Sequence, residues 1–310
     1  MSLLLSILIT SWAMTPHPST DDYDSITKDS AFRKTISTGA FAGLTTGHVY
    51  YEYSKKGSGS PLVLVHGFSV PSYIWDSTFV KAKARGIPVL RLDLYGRGFS
   101  DNPDVPYNVE LFANQVVGLL DHLGIDESVH LMGLSMGGAV ISQIAAQHPK
   151  RIKTLIYVDP AGFRPSLRST KTQTQIVTPS EVETFIRQDF PTRSQSQMGD
   201  FFQPDLYDYW PALYEPLLNH KGFGRALLST MKNSRSMELE NKVVGRATYP
   251  VHFIWGAQDQ VCPLDEAQAQ IRKWIPRYQL HVIDQCGHLP HIEQAPKFDA
   301  ALFQKILNRP

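Results

Sequence analysis

Cysteine is scarce: a chain of 310 residues has two, Cys262 and Cys286. Two thiols are too few for a disulfide framework, and their spacing matches no zinc pattern. They read as a pair of buried thiols. The other reading is one bridge between two neighbouring loops, which only an oxidising compartment would maintain. Charge of one sign is also missing, since 30 Lys+Arg face 29 Asp+Glu for a net charge of +1. Without clustered Lys/Arg a broad nucleic-acid footprint is excluded, and without a block of like charges so is an acidic or basic tail. Internal repeats and low-complexity tracts are absent, which removes collagen-like and disordered classes. What remains is 42% hydrophobic residues over 310 positions. That is enough to bury a sizeable core without metal or disulfide staples, as two ordinary domains or one large α/β domain with an insertion.

The first fourteen residues, MSLLLSILITSWAM, stand apart. The apolar run from Leu3 to Ile9, broken by Ser6, falls far below the roughly 20 residues that span a bilayer. It has the length of a secretory h-region, yet no Lys or Arg precedes Lys28 and no A-x-A site follows. A signal peptide, weak membrane contact through residues 3–14, and a true start at Met14 are all open, and with them a cytoplasmic or an exported location. Residues 15–30 read as a polar, poorly ordered lead-in.

Further along, short apolar runs alternate with helical patterns. Strands are expected at 44–53, 61–66, 88–93, 128–133, 153–159, 251–256 and 279–283, mostly as continuous Val/Ile/Leu runs. Such runs belong to parallel strands covered on both faces. Helices are expected at 108–123, from Asn108 to a stop at Gly124, and at 135–147, 264–275 and 297–307. The alternation predicts an α/β fold with a mostly parallel sheet flanked by helices. It breaks between 162 and 248, where no strand is convincing and Ser180 to Glu183 has the form of a capping box. Residues 201–214 of that stretch have six aromatics in fourteen positions. A helical insertion here would sit over the crevice at the strands' C-terminal ends. The division expected is therefore 1–30 as an apolar segment and lead-in, 44–161 with 249–310 as the core, and 162–248 as an inserted helical cap.

The chemistry is concentrated in Gly133-Leu134-Ser135-Met136-Gly137, a G-x-S-x-G pattern with a strand before it and a helix after it. In that context the serine occupies a strained strand-to-helix turn with its hydroxyl exposed above the sheet. A serine hydroxyl needs a base, and the base needs an orienting group. Downstream of Ser135, in the chain order of such elbows, Asp259 follows strand 251–256 and His288 follows strand 279–283. Loops after parallel strands emerge at one edge, so the three can converge. His291 is a rival base, but His288 directly follows Gly287. Asp159, at the end of strand 153–159, is a rival acid with a plainer role in its own turn. The oxyanion donors expected are the backbone N–H groups of Met136 and of Phe68 in the His66-Gly67-Phe68 turn. The Phe68 and Met136 side chains would line the pocket, and His66 would hold its loop.

These motifs together resemble the α/β-hydrolase superfamily, in the subgroup with an inserted helical cap. The resemblance runs from about Gly47 to Leu307 and rests on HGF at 66–68, DLYGRGFSD at 93–101, GLSMGG at 133–138, WGAQDQVCP at 255–263 and CGHLPHIEQ at 286–294. It implies an eight-stranded sheet with one antiparallel strand near its start, a cap over the site, and Ser135, Asp259 and His288 as a catalytic triad. Ser135 stands where dehalogenases and soluble epoxide hydrolases place Asp. Leu134 and Leu289 stand where carbon–carbon bond hydrolases of aromatic-ring breakdown usually place Asn and Trp. The GHLPHIEQ run looks more like that of esterases and monoacylglycerol-lipase-type enzymes. The expectation is a serine hydrolase cleaving a small or acyl-chain carboxylic ester through an acyl-enzyme, with no metal or organic cofactor and no nucleic-acid partner. Carbon–carbon or thioester hydrolysis on the same fold is the alternative, as is a non-catalytic ligand-binding protein.

Overall fold

The computed structural model describes residues 23–164 and 174–308. Eight strands form one sheet: β1 Ala40–Leu44, β2 Gly47–Ser54, β3 Leu62–Val65, β4 Val89–Leu92, β5 Val129–Leu134, β6 Ile152–Val158, β7 Val251–Gly256 and β8 Gln279–Ile283. Their spatial order is β1-β2-β4-β3-β5-β6-β7-β8. Strand β2 runs antiparallel to both neighbours, and all remaining pairs are parallel. This is the α/β-hydrolase architecture the resemblance implies.

The continuous apolar strands are covered on both sides because side chains alternate across a sheet. Val63, Val65 and Leu131 join one core with Phe112, Val116, Ile141, Ile144 and Ile271. Leu62, Leu64, Met132 and Leu134 join the other with Trp75, Phe79, Phe298 and Phe303. The helices are α1 Ser30–Thr35, which buries no residue, α2 Asp76–Ala84, α3 Val109–His122 and α4 Met136–Gln147, then α5 Pro179–Ser196, α6 Trp210–Tyr214, α7 Phe223–Lys232 and α8 Glu238–Val244, and finally α9 Leu264–Trp274, α10 Pro290–Glu293 and α11 Ala295–Asp299. Helix α3 starts where Asn108 accepts from the Leu111 N–H at 2.9 Å and stops before Gly124, whose φ of +64° a side chain would resist.

Several boundaries differ from those read in the sequence. The run 44–53 is two strands, because the chain reverses at Thr45 and Thr46 and Ala40–Leu44 pairs back on β2. Helix α2 lacks a strong apolar periodicity and gave no sequence signal. The capping box of α5 is formed by Thr178 and Glu181, two residues before the pattern at Ser180: Thr178 Oγ1 accepts from Glu181 N, and Glu181 Oε2 accepts from Thr178 N at 2.8 Å. Pro179 sets this start, since proline suits the first helical position. The C-terminal helix begins at Ala295 and continues as a π-helical stretch, Ala300–Ile306.

The lead-in is corrected where it is described. Residues 23–30 are docked on the fold: Ile26 bridges His220, and the Ser25 and Ile26 N–H groups donate to the Asn219 carbonyl at 2.9 and 2.7 Å. Lys28 is buried, with Nζ donating to Ser100 O at 2.7 Å and Asn102 Oδ1 at 2.8 Å. Burial lowers its ammonium to about 7. A polar composition did not mean disorder here, because the fold supplies acceptors for its charge. The apolar segment 1–14 and the first part of the lead-in lie outside the described residues. Among the described residues no helix is long and apolar enough to cross a membrane.

Between β6 and β7 the described residues hold no strand, only α5 to α8 and short 3₁₀ turns. The aromatics there stack on one another, Phe201 on Tyr207 at 4.2 Å and Trp210 edge-on to Phe201 at 5.4 Å, while Phe201, Trp210 and Tyr214 also join the second core.

Candidate active site

Three residues at the C-terminal ends of strands adopt left-handed backbone without being glycine: Ser135 after β5 (φ +52°), Asp159 after β6 (φ +41°) and Gln285 after β8 (φ +58°). A side chain in this region is strained, and such strain concentrates at functional sites. At Ser135 the turn is fixed from several sides. Its N–H donates to Val158 O at 3.0 Å, and its carbonyl accepts from Gly138 N at 2.8 Å and Ala161 N at 2.9 Å. The glycines around it are required by close approach. A Cβ on Gly133 would lie 2.4 Å from Gly137 O, and one on Gly137 would lie 2.5 Å from Val65 O.

Ser135 lines a cavity of about 860 Å³ together with Phe68, Met136, Ala139, Ala161 and Val261. Met136 is the first residue of α4, so the helix offers its N–H no partner. The Phe68 N–H likewise donates to no backbone or side-chain acceptor among the described residues. The Phe68 loop is held from behind. Arg97, fully buried, donates from Nε to Phe68 O at 2.8 Å, and a Cβ on Gly67 would lie 3.2 Å from Ser135 Cβ. His66 serves the same loop: Nε2 accepts from Leu94 N at 2.9 Å and Nδ1 donates to Gly67 O at 2.9 Å. Burial lowers His66 to about 3, so it stays neutral.

On the other side of the site His288 and Asp259 are joined. His288 Nδ1 lies 2.8 Å from Asp259 Oδ2, with both residues buried. The other carboxylate oxygen, Oδ1, accepts from Val261 N at 2.8 Å and Cys262 N at 2.9 Å. His288 is further placed by its own N–H, which donates to Asp200 O at 2.8 Å. Burial alone would lower the His288 pKa, but the Asp259 hydrogen bond and charge outweigh it and raise the value above the usual 6.5. Burial would raise Asp259, and the bond to His288 and its charge, together with the Cys262 amide, bring it below the usual carboxylate range. The rival His291 is elsewhere: its Nε2 lies 3.0 Å from Ile74 O, and burial lowers it to about 3.

Ser135 and His288 are not hydrogen-bonded; the serine hydroxyl has no such partner among the described residues. What connects the two sides is Cys262. It lines the Ser135 cavity, and its sulfur lies within 4.8 Å of the donor atoms of both Asp259 and His288. Those atoms are close enough together to hold a metal ion; in its absence, burial and the Asp259 charge push the Cys262 thiol up to about 12. Without an ion the trio is an acid–imidazole pair edged by a neutral thiol. Both cysteines are free.

The profile of the alpha/beta hydrolase family matches residues 62–301. The chain belongs to that family. Among relatives of this α/β hydrolase, the 2-hydroxymuconate semialdehyde hydrolase of Pseudomonas sp. (strain CF600) is 27% identical over 255 residues, covering 78% of this chain and 85% of the relative. Lipase 3 of Moraxella sp. (strain TA144) is also 27% identical, over 78% of this chain and 76% of its own length. The thermophilic esterase of Thermogutta terrifontis shares the fold with a TM-score of 0.68 and 23% identity, over 88% of this chain and 99% of that one.

Sequence reasoning missed the supports of the histidine loop. Glu293 Oε1 accepts from Gly287 N at 2.8 Å while its Oε2 accepts from Phe202 N at 2.8 Å, tying the loop after β8 to the insertion. Gln258 Oε1 accepts from Cys286 N at 3.0 Å and ties it to the loop after β7. Both residues lie within the motifs already noted, five and one positions from His288 and Asp259, but only contact identifies their task. The aromatics of 201–214 do not line the Ser135 cavity. The insertion contributes Asp189, Arg193, Thr230, Met231, Ser234 and Arg235 instead, which set charged and hydroxyl groups beside the apolar lining of Phe68, Met136, Ala139, Ala161 and Val261.

Proposed function

We propose that this α/β hydrolase cleaves carboxylic esters through an acyl-enzyme formed on Ser135. In this reading Ser135 Oγ attacks the ester carbonyl and His288 Nε2 takes its proton, later passing it to the leaving alkoxide. Asp259 holds the imidazole with its proton on Nδ1 and stabilises the imidazolium. The N–H groups of Phe68 and Met136 receive the oxyanion. Water activated by His288 then releases the acid and frees Ser135. Residues 162–248 act as a cap over the cavity. The observation that carries the reading is the buried 2.8 Å bond between His288 Nδ1 and Asp259, which leaves Nε2 as the basic nitrogen. The Ser135–His288 contact forms on substrate binding, since catalytic hydrogen bonds in unliganded sites are often long.

The wall suggests the kind of ester. Arg164 pairs with Glu266, Arg193 with Asp189 and Arg235 with Glu240 and Glu110, so separate ion pairs edge the insertion side of the cavity alongside the apolar side chains of Phe68, Met136 and Ala139. Burying a long alkyl chain there would desolvate charges without replacing their partners. On a panel of p-nitrophenyl esters, kcat/KM is expected to be highest for acetate to butyrate and to fall for palmitate. A vinylogous diketone and an acyl-CoA belong in the same panel, because one relative is a semialdehyde hydrolase. Turnover of the diketone above every ester would replace this reading with carbon–carbon bond hydrolysis.

The pH dependence follows from the site. His288 must be neutral to accept the serine proton, and its pKa is raised. Activity is therefore full above the raised value and lost as pH falls through it, with the midpoint above the ordinary histidine value of about 6.5. A kcat/KM profile with its acid limb below that value would separate His288 from Asp259 in the mechanism.

A further inference from the structure

Behind the Asp259–His288 pair stands a second carboxyl that the proposed reaction does not use. Asp159 is fully buried at the end of β6, with a φ of +41° and hydrogen bonds to β7. Its N–H donates to Ile254 O at 3.1 Å, and its Oδ1 accepts from Gly256 N at 2.8 Å. Its Oδ2 is buried and receives no donor among the described residues. The side chain meets Asp259 within hydrogen-bonding range. The other groups facing it are Glu293 from α10 and the thiols of Cys262 and Cys286 from the loops after β7 and β8, with His288 beyond Asp259. None of these is a cation while His288 is the neutral base.

Two ionised carboxylates only accept, so they cannot bond to each other, and leaving one oxygen buried and unpaired is costly. One proton resolves the contact by turning one carboxyl into a donor. Asp259 already has two backbone N–H groups and the imidazole supporting its charge, whereas Asp159 has a single N–H. The proton therefore belongs on Asp159. We propose that Asp159 is a neutral carboxylic acid that donates a hydrogen bond to Asp259 and holds it behind His288, a positioning residue for the triad assigned above, on which its catalytic consequence rests. Burial and the adjacent Asp259 charge raise Asp159 well above the usual carboxylate range, in the same direction.

The pair Asp159→Ala and Asp159→Asn tests this. Asparagine keeps both hydrogen bonds, with its oxygen accepting from Gly256 N and its NH₂ donating to Asp259. Alanine removes both. Loss of the donor in Asp159→Ala is expected to lower kcat by about tenfold or more, and Asp159→Asn to restore it to within about threefold of the parent. The decisive readout is the acid limb of kcat/KM in Asp159→Asn, which should coincide with that of the parent. If Asp159 were ionised, removing its charge would move that limb down by about one pH unit or more, and the proposal would be wrong. Loss of activity or of folding in the asparagine variant would equally overturn it, because an isosteric neutral group must be tolerated. Infrared spectroscopy reads the proton without turnover. A protonated-carboxyl carbonyl band at neutral pH should be present in the parent and missing from Asp159→Asn. Its absence from the parent overturns the proposal, and its presence stands even if Ser135 is not the nucleophile.

Discussion

Ser135→Ala is expected to fold as the parent does and to lose about three or more orders of magnitude in ester turnover. The substitution removes one hydroxyl that no other group hydrogen-bonds among the described residues, at a position whose backbone is held by Val158, Gly138 and Ala161. The left-handed turn imposes the same strain on alanine as on serine, so thermal unfolding should shift little. Residual activity over water would come from the oxyanion donors and binding alone. A fluorophosphonate probe supplies the independent measurement: it should label the parent at Ser135 and fail to label the variant. Comparable turnover in the variant rejects Ser135 as nucleophile, and an unlabelled parent favours a ligand-binding protein over an enzyme.

Asp259→Asn is expected to cost about 10³–10⁴ in kcat. The loss follows from donor and acceptor counting at one side chain. Oδ1 of Asp259 faces two N–H groups, Val261 and Cys262, so an asparagine must put its oxygen there. Its NH₂ then faces His288 Nδ1, which becomes an acceptor, and the ring proton moves to Nε2. The nitrogen that should take the serine proton is then already protonated. The charge that raises the His288 pKa is also gone, so whatever activity remains should have its acid limb displaced to lower pH. A loss of less than about tenfold, with the limb unmoved, would transfer the acid role elsewhere.

Much of the fold could be read directly from residue patterns. Strands β3 to β7 appear as apolar runs because parallel strands are buried on both faces, the edge strand β8 is mostly exposed or half-buried, and α3, α4 and α9 are marked by caps, glycine and proline at their ends. Strand β1 and helix α2 were hidden. The Ala40–Leu44 strand has the exposed and buried residues of an edge, and Asp76–Ala84 buries only Thr78, Phe79 and Ala82. Their identity comes from neighbours, with β1 pairing on β2 and α2 packing near β4. The lead-in failed for the same reason: nothing in the residues around Lys28 announces that Ser100 and Asn102, more than seventy positions away, will accept its protons.

The division at the site has a clear physical basis. By itself the sequence determined the strained turn at Ser135, since Gly133 and Gly137 flank it within a few residues and the constraint is one of local backbone approach. It also determined that Asp159 ends a strand and that Asp259 and His288 lie in the loops after the next two. Only the tertiary structure decided which of the two aspartates bonds the imidazole. That depends on the order β5-β6-β7-β8 and on where the amides of Val261, Cys262 and Gly256 point. Only it decided, too, that the cavity wall is built from Arg193, Thr230 and Arg235 and not from the aromatics of 201–214. Hydrogen bonds and pocket walls between segments a hundred residues apart are set by how layers stack, and stacking leaves no periodic mark on the chain.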